Sequence, residues 1–532
     1  MATVPCTPLL LCASLVCILY GCLVRRNARH LPPGPRASTF GSVALPTSYP
    51  WKTYAEWRKL YGDVIYIHIF GNPILILNTA RDDGQQAVRR VSDTSLVSLS
   101  HRAPAWALIG YSRLHHTARG GSDTERFSTT TSTIPQPPTT IPYSPEKHMS
   151  SSKISSTRLT CLLTTYEGLY PFSEFGVVPY GLTGATDRTA AAIIMNIVYG
   201  HQVAPEGDNF VTLADKALAT LAASGIFGTY LVDYIPLLRH VPRWMPGAGF
   251  KRQALEWRKL NQAMLNAPFD MVKERMKHGS AISALTTFEL EKWQHNGQDP
   301  DEERIIKDVA ATAYAAGADT TVSGVISFFL AMTIYPDVLK RAQAEIDQVV
   351  GPDRLPNFDD RISLLYVDWI VWECLRWNPV TPLGIAHSMT DDDEYEGYHI
   401  PKGTTVLPNV WGILHDETTY PDPLRFHPER YADAQVNSEQ NINEIPWAAF
   451  GFGRRMCPGR WLAVDSLWIA VATICATFDI SKALDEKGMP IEPDVEFTST
   501  LLSRPKPFKC RITPRSQAVA SLVEQSLEQS SI

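Results

Sequence analysis

Phe450-Gly451-Phe452-Gly453-Arg454-Arg455-Met456-Cys457-Pro458-Gly459 is the stretch on which the reading of this chain turns. A cysteine in a folded chain is most often a small buried hydrophobe, so any special role for Cys457 has to come from its neighbours. A thiolate needs an electropositive, hydrogen-bonding surround to stay deprotonated. Glycines at 451, 453 and 459 let backbone amides approach the sulfur. Arg455 adds a positive charge suited to pairing with a carboxylate. A helix beginning near Arg460 would direct its positive end toward the cysteine. Such a setting suits a metal ligand better than packing; the bland alternative is a structural cysteine in a glycine-rich turn.

Outward from this loop, the pattern is mainly α with a small β part. Helical spacing recurs at 190–199, 210–224, 250–277, 337–350, 364–377 and 460–478, and nearer the N-terminus at 51–61. Asp299 as N-cap and Pro300 in the first turn open a long helix to about Tyr335, roughly 50 Å long. Gly317 sits at its centre, where glycine costs stability, which makes sense if something large lies against the helix. Short strands are expected at 64–67, 74–77, 398–400 and 404–407.

The 532 residues are ample for a large core. A composition of 44% hydrophobic and 20% charged residues is ordinary for a globular chain, and the net charge of −6 gives no case for a nucleic-acid partner. Nine cysteines, an odd number without a Cys-x-x-Cys pair, argue against a disulfide framework and for a reducing compartment.

Residues 7–24 form an almost unbroken apolar run of 18 residues. As a helix this run would span about 27 Å, close to the roughly 30 Å of a bilayer core. No Lys or Arg precedes it, and Arg25, Arg26 and Arg29 follow. Those flanks predict a retained transmembrane anchor over 1–30 with the remainder cytosolic; a cleaved signal is the alternative. Leu31-Pro32-Pro33-Gly34-Pro35 ends the helix and reads as a stiff joint to a catalytic domain over 31–515, with a C-terminal tail over 516–532. Residues 110–180 are anomalous: Ser, Thr and Pro crowd together without helical or strand period, as in a disordered segment. A true loop and a mis-joined coding segment are both compatible with that.

The cysteine loop matches Phe-x-x-Gly-x-Arg-x-Cys-x-Gly, the haem-binding signature of the cytochrome P-450 family, at every fixed position. The chain resembles that family over 31–105 and 185–515, most of all its fungal microsomal members. The resemblance implies the cytochrome P-450 fold behind one transmembrane helix, and haem b with Cys457 as iron ligand. Phe450, Gly453, Arg455 and Gly459 would be cofactor-binding positions. Glu373-Cys374-Leu375-Arg376 is similar to the family's Glu-x-x-Arg, whose charges share a helix face. Phe426-His427-Pro428-Glu429-Arg430 resembles its Pro-Glu-Arg segment, which implies a structural triad of Glu373, Arg376 and Arg430. Ala316-Gly317-Ala318-Asp319-Thr320-Thr321 looks like the oxygen-activation segment. Thr320 would be the alcohol and Asp319 the acid of a proton relay. His387 stands where the family usually places a basic residue near a haem propionate; a packed or surface histidine is the other reading. Ala315, Ala316, Ile385, Leu501 and Leu502 would face the substrate.

The implied function is a monooxygenase that inserts one atom of O2 into an apolar organic substrate, in fungal secondary metabolism. Its electrons would come from an NADPH-cytochrome P-450 reductase, and its site would be the endoplasmic reticulum membrane, with no nucleic acid involved. A haem-thiolate isomerase or dehydratase is a rival, against which Asp319-Thr320 argues. A second rival is an inactive, haem-poor relative, because the family's Trp-x-x-x-Arg helix has no match in 100–185.

Overall fold

In the computed structural model the described residues are 31–35, 43, 45–69, 71–79, 181–204, 207–224, 230–234, 236–432 and 446–530. The expected anchor and the Ser/Thr/Pro-rich stretch lie outside them.

The described helices are α1 (Pro50–Tyr61), α2 (Gly181–Tyr199), α3 (Asn209–Ser224), α4 (Gly249–Lys277), α5 (Leu285–His295), α6 (Pro300–Ile334), α7 (Pro336–Val349), α8 (Leu365–Trp377), α9 (Val410–Leu414), α10 (Arg460–Thr477) and α11 (Gln517–Ser530), besides shorter turns. The 35-residue α6 starts as its sequence requires: Pro300 occupies the first turn and the Asp299 carboxylate accepts from the Asp301 amide at 2.9 Å. Its two halves serve different cores. Ile306, Ala310, Tyr314 and Ala318 pack with α2, α3, α4 and α5. Val322 to Thr333 is buried all round, as expected of a helix inside a large protein, and joins α7, α8 and α10 around Phe328, Phe329 and Trp468. The changeover falls at residues 315–321.

Gly317 has a protein neighbour. A Cβ there would lie 2.8 Å from Cγ1 of Ile194 on α2, so the missing side chain lets α2 lie close along α6. The expectation that something large lies against the helix at this glycine is met, among the described residues, by α2.

The largest sheet runs in the order β1-β2-β6-β3, from β1 (Val64–Ile69), β2 (Asn72–Leu77), β6 (Thr405–Pro408) and β3 (His387–Ser388). Strands β1 and β2 pair antiparallel, β2 and β6 parallel, and β3 and β6 antiparallel with His387 opposite Val406. Alternation sends Leu75 and Leu77 into one apolar cluster and Ile74 and Ile76 into another, so both faces of β2 are covered. The proline joint is stitched to this sheet: Tyr66 N–H donates to Pro33 O at 2.9 Å, and only a residue without Cβ fits at Gly34 against the Tyr66 carbonyl. Two hairpin-like pairs complete the β part, β4 (Asp393–Tyr395) with β5 (Tyr398–Ile400) and β7 (Phe478–Lys482) with β8 (Cys510–Pro514).

Residues expected to form only a tail contain α11, whose Ala520 and Val523 are buried, Val523 within the main core. The two apolar side chains three apart anchor the helix there.

Candidate haem site

The cysteine loop is a tight turn followed by a helix. Trp447–Phe450 and Gly453–Arg455 are single 3-10 turns, separated by Gly451 at φ +83° and opened by Gly453 at φ +59°. Both lie in the left-handed region that residues with a Cβ rarely adopt. The turn closes where the Cys457 amide donates to Phe450 O at 2.8 Å. Gly459 then caps α10. Burial pushes the Cys457 thiol up, while the Gly459 amide and the Arg460 charge pull it down. Burial wins for the bare thiol, so a stable thiolate here needs a cation on the sulfur. From the sequence all three glycines are expected to let amides approach the sulfur. In the structure Gly459 supplies the amide, and Gly451 and Gly453 shape the turn.

His387 lies on β3 with Nδ1 hydrogen-bonded to Ile385 O at 2.7 Å. Burial depresses its pKa, the Ile385 carbonyl opposes that, and the nearby Arg455 charge adds to it. His387 therefore lies within the field of the Arg455 charge.

On α6, Ala316 is exposed and Ala315, Asp319, Thr320 and Thr321 are half-buried, although the helix beyond them is enclosed. Ile385 is 41% exposed, while Leu501 and Leu502 are half-buried. The Thr320 hydroxyl donates to Ala316 O at 2.8 Å. Asp319 is ion-paired with Arg504, a partner the sequence reading missed. Its 185-residue separation leaves no local pattern to find it by.

Glu373 and Arg376 on α8 are fully buried. Arg376 grips both Glu373 oxygens at 2.8 Å, and Arg430 Nε lies 3.1 Å from each of them. Arg376 also donates to the carbonyls of Leu414, Pro423 and Arg425. These bonds tie α8 to the segment that leads to the cysteine loop.

A thiol at a helix start, with an arginine and a largely neutral histidine in its neighbourhood, suits a thiolate-ligated metal cofactor that carries acidic substituents. The family model for Cytochrome P-450 matches residues 182–512.

The chain belongs to the cytochrome P-450 family.

Among its relatives are Cytochrome P-450 monooxygenases 98 and 208 of Postia placenta, 38% and 39% identical, covering 96% and 94% of this chain and 95% and 93% of theirs. Cytochrome P-450 monooxygenase claR of Ampulloclitocybe clavipes is 37% identical over 94% of this chain and 89% of its own. The chain is thus a cytochrome P-450 monooxygenase, an oxidoreductase of the haem-thiolate class that uses haem b. Members of this class take O2, electrons from a redox partner and an organic substrate. Nothing in these likenesses supports the haem-poor alternative.

Proposed function

We propose that this cytochrome P-450 inserts one atom of O2 into an apolar organic substrate of secondary metabolism. The electrons come from an NADPH-cytochrome P-450 reductase, at the cytosolic face of the endoplasmic reticulum membrane. The observation that carries the reading is the Cys457 loop, closed by its own backbone and opening α10. Haem b bound there supplies the oxygen-activating redox chemistry. Cys457 holds the iron as thiolate, helped by the Gly459 amide and Arg460. Arg455 and His387 receive the propionates. A carboxylate beside His387 offsets the depression of its pKa and favours the charged, doubly donating imidazolium.

With the haem bound, Asp319 and Thr320 would relay protons to the reacting oxygen. The Thr320 hydroxyl, bonded now to Ala316 O, has lone pairs and a rotatable proton to offer there. Ala315, Ala316, Ile385, Leu501 and Leu502 bind the substrate and exclude water, because none carries a side-chain polar atom. Glu373, Arg376 and Arg430 hold the scaffold behind the loop.

The assignment is tested by Cys457→Ser. The long-wavelength absorption band of the reduced carbon-monoxide complex should vanish, and a variant that keeps it sinks the thiolate assignment.

A further inference from the structure

Arg504 reaches Asp319 from a loop that is itself locked. The Ser503 amide donates to Val380 O at 2.8 Å, and its hydroxyl to Asn378 Oδ1 at 2.7 Å. Asn378 Nδ2 bonds Ser327 Oγ at 3.0 Å, and the Ser323 hydroxyl donates to the Ser503 carbonyl. All four side chains are buried. Arg504 is fixed in turn by Thr498, whose hydroxyl accepts its amide at 3.0 Å and whose own amide donates to its carbonyl at 2.7 Å. Ser323 and Asp319 are four apart and share a face of α6. Consecutive loop residues, Ser503 and Arg504, thus meet consecutive turns of the helix.

A half-buried aspartate on a helix has several rotamers, and only some point toward a neighbouring hydroxyl. An arginine held on a rigid loop selects among them, because its planar fork binds a carboxylate in few orientations. The ion pair joins Arg504 Nη2 to Asp319 Oδ1, and in the proposed arrangement the second oxygen is the one that exchanges the proton. Asp215 of α3 also lies within the field of Arg504: burial raises its pKa and the guanidinium opposes that.

We propose that Arg504 is a positioning residue for proton delivery, holding the Asp319 carboxylate where it can serve Thr320. The inference rests on the reading of Asp319 and Thr320 as the relay.

The test uses the full-length, haem-loaded chain and four variants: Asp319→Asn, Arg504→Gln, Arg504→Lys and the double Asp319→Asn/Arg504→Gln. Three quantities are read: the carbon-monoxide difference band, product formed per NADPH, and the C–O stretching band of the carbon-monoxide complex. Arg504→Gln should keep the difference band while product per NADPH falls about tenfold, less than the roughly 10²- to 10⁴-fold a proton-transferring group supplies. Its C–O stretching band should broaden as the carboxylate loses its fixed place. Arg504→Lys keeps the charge without the fork and should fall between wild type and Arg504→Gln. The double variant should be no worse than Asp319→Asn alone, since Arg504 acts through Asp319.

Wild-type coupling in Arg504→Gln, or losses that multiply in the double variant, overturns the proposal. If Arg504→Gln fails to load haem, Arg504→Lys decides: wild-type coupling with an unchanged stretching band overturns the proposal. Asp319→Asn at full coupling overturns the relay reading instead, a result distinct from failure at Arg504 alone.

Discussion

His415 shows how one side chain can set the acid limit of this fold. Its ring is stacked on Trp411 with centroids 4.1 Å apart, and Nδ1 bonds Trp411 O at 2.9 Å. Burial pushes its pKa down to about 3, and the charge of Arg376, followed by that of Lys52, adds to the depression. The unfolded chain takes up this proton near pH 6.5, whereas the folded chain resists it until about 3. The native state keeps its full advantage above about pH 6.5 and loses it progressively as pH falls toward the folded value. His415→Gln cannot titrate and can still donate to the Trp411 carbonyl. The variant should have a lower thermal midpoint at pH 7 but a flatter fall between about pH 6.5 and 5. A fall as steep as wild type would place the acid-sensitive group elsewhere. Arg376, which helps depress His415, also grips Glu373, so the buried charges behind the loop are electrostatically linked.

Between elements, a close constraint lies where α2 packs along α6. Gly317→Ala gains about 1 kcal/mol of helix propensity. Its new Cβ must then share space with Cγ1 and Cδ1 of Ile194, at 2.8 and 2.9 Å. Overpacking of that kind costs about 1–3 kcal/mol, so the steric term wins and the thermal midpoint should drop. Ile194→Ala is itself destabilising, by about 2–5 kcal/mol, but it removes both atoms, so in that background Gly317→Ala should cost less than it does alone; a stabilised Gly317→Ala single variant would show that α2 yields freely. Periodicity could announce α6 but not this crossing. Long helices were legible because a stripe or an all-round apolar run persists over several turns, as in α4, α6 and α10. The ends of α6 were legible because Asp299, Pro300 and Pro336 punctuate them. The two-residue β3, the five-residue α9, and the strands β7 and β8 were not, being too short or too distant in sequence to carry a period of their own. The same reason hid α11, which depends on packing of Ala520 and Val523. The Glu373, Arg376 and Arg430 cluster was legible from local motifs, and the structure bonds its three members. The pairing of Asp319 with Arg504 was not, because only the docking of the C-terminal loop on α6 brings them together.

At the scale of the whole chain, α6 runs through both helical cores, so the region carrying Asp319 and Thr320 sits where the cores meet rather than on a peripheral loop. Among the described residues two helices, α6 and α10, are long and apolar enough to cross a bilayer, and both are mostly buried inside the protein. Both are therefore core helices, and we propose that any membrane attachment comes from residues 7–24. That run has the length for one crossing, and Arg25, Arg26 and Arg29 lie on its C-terminal side. Three cations immediately after the run favour a cytosolic C-terminal side, and with it the catalytic domain. The proline joint starts directly afterwards and is bonded to β1 through Pro33, so the domain should sit close to the bilayer on a short tether. Two measurements on microsomes follow. The full chain should stay with the membranes after alkaline carbonate washing, and protease added to intact vesicles should digest the catalytic domain. Release by carbonate would indicate peripheral attachment or a cleaved leader. Full protection from protease would put the domain in the lumen and reverse the orientation argued from the arginines.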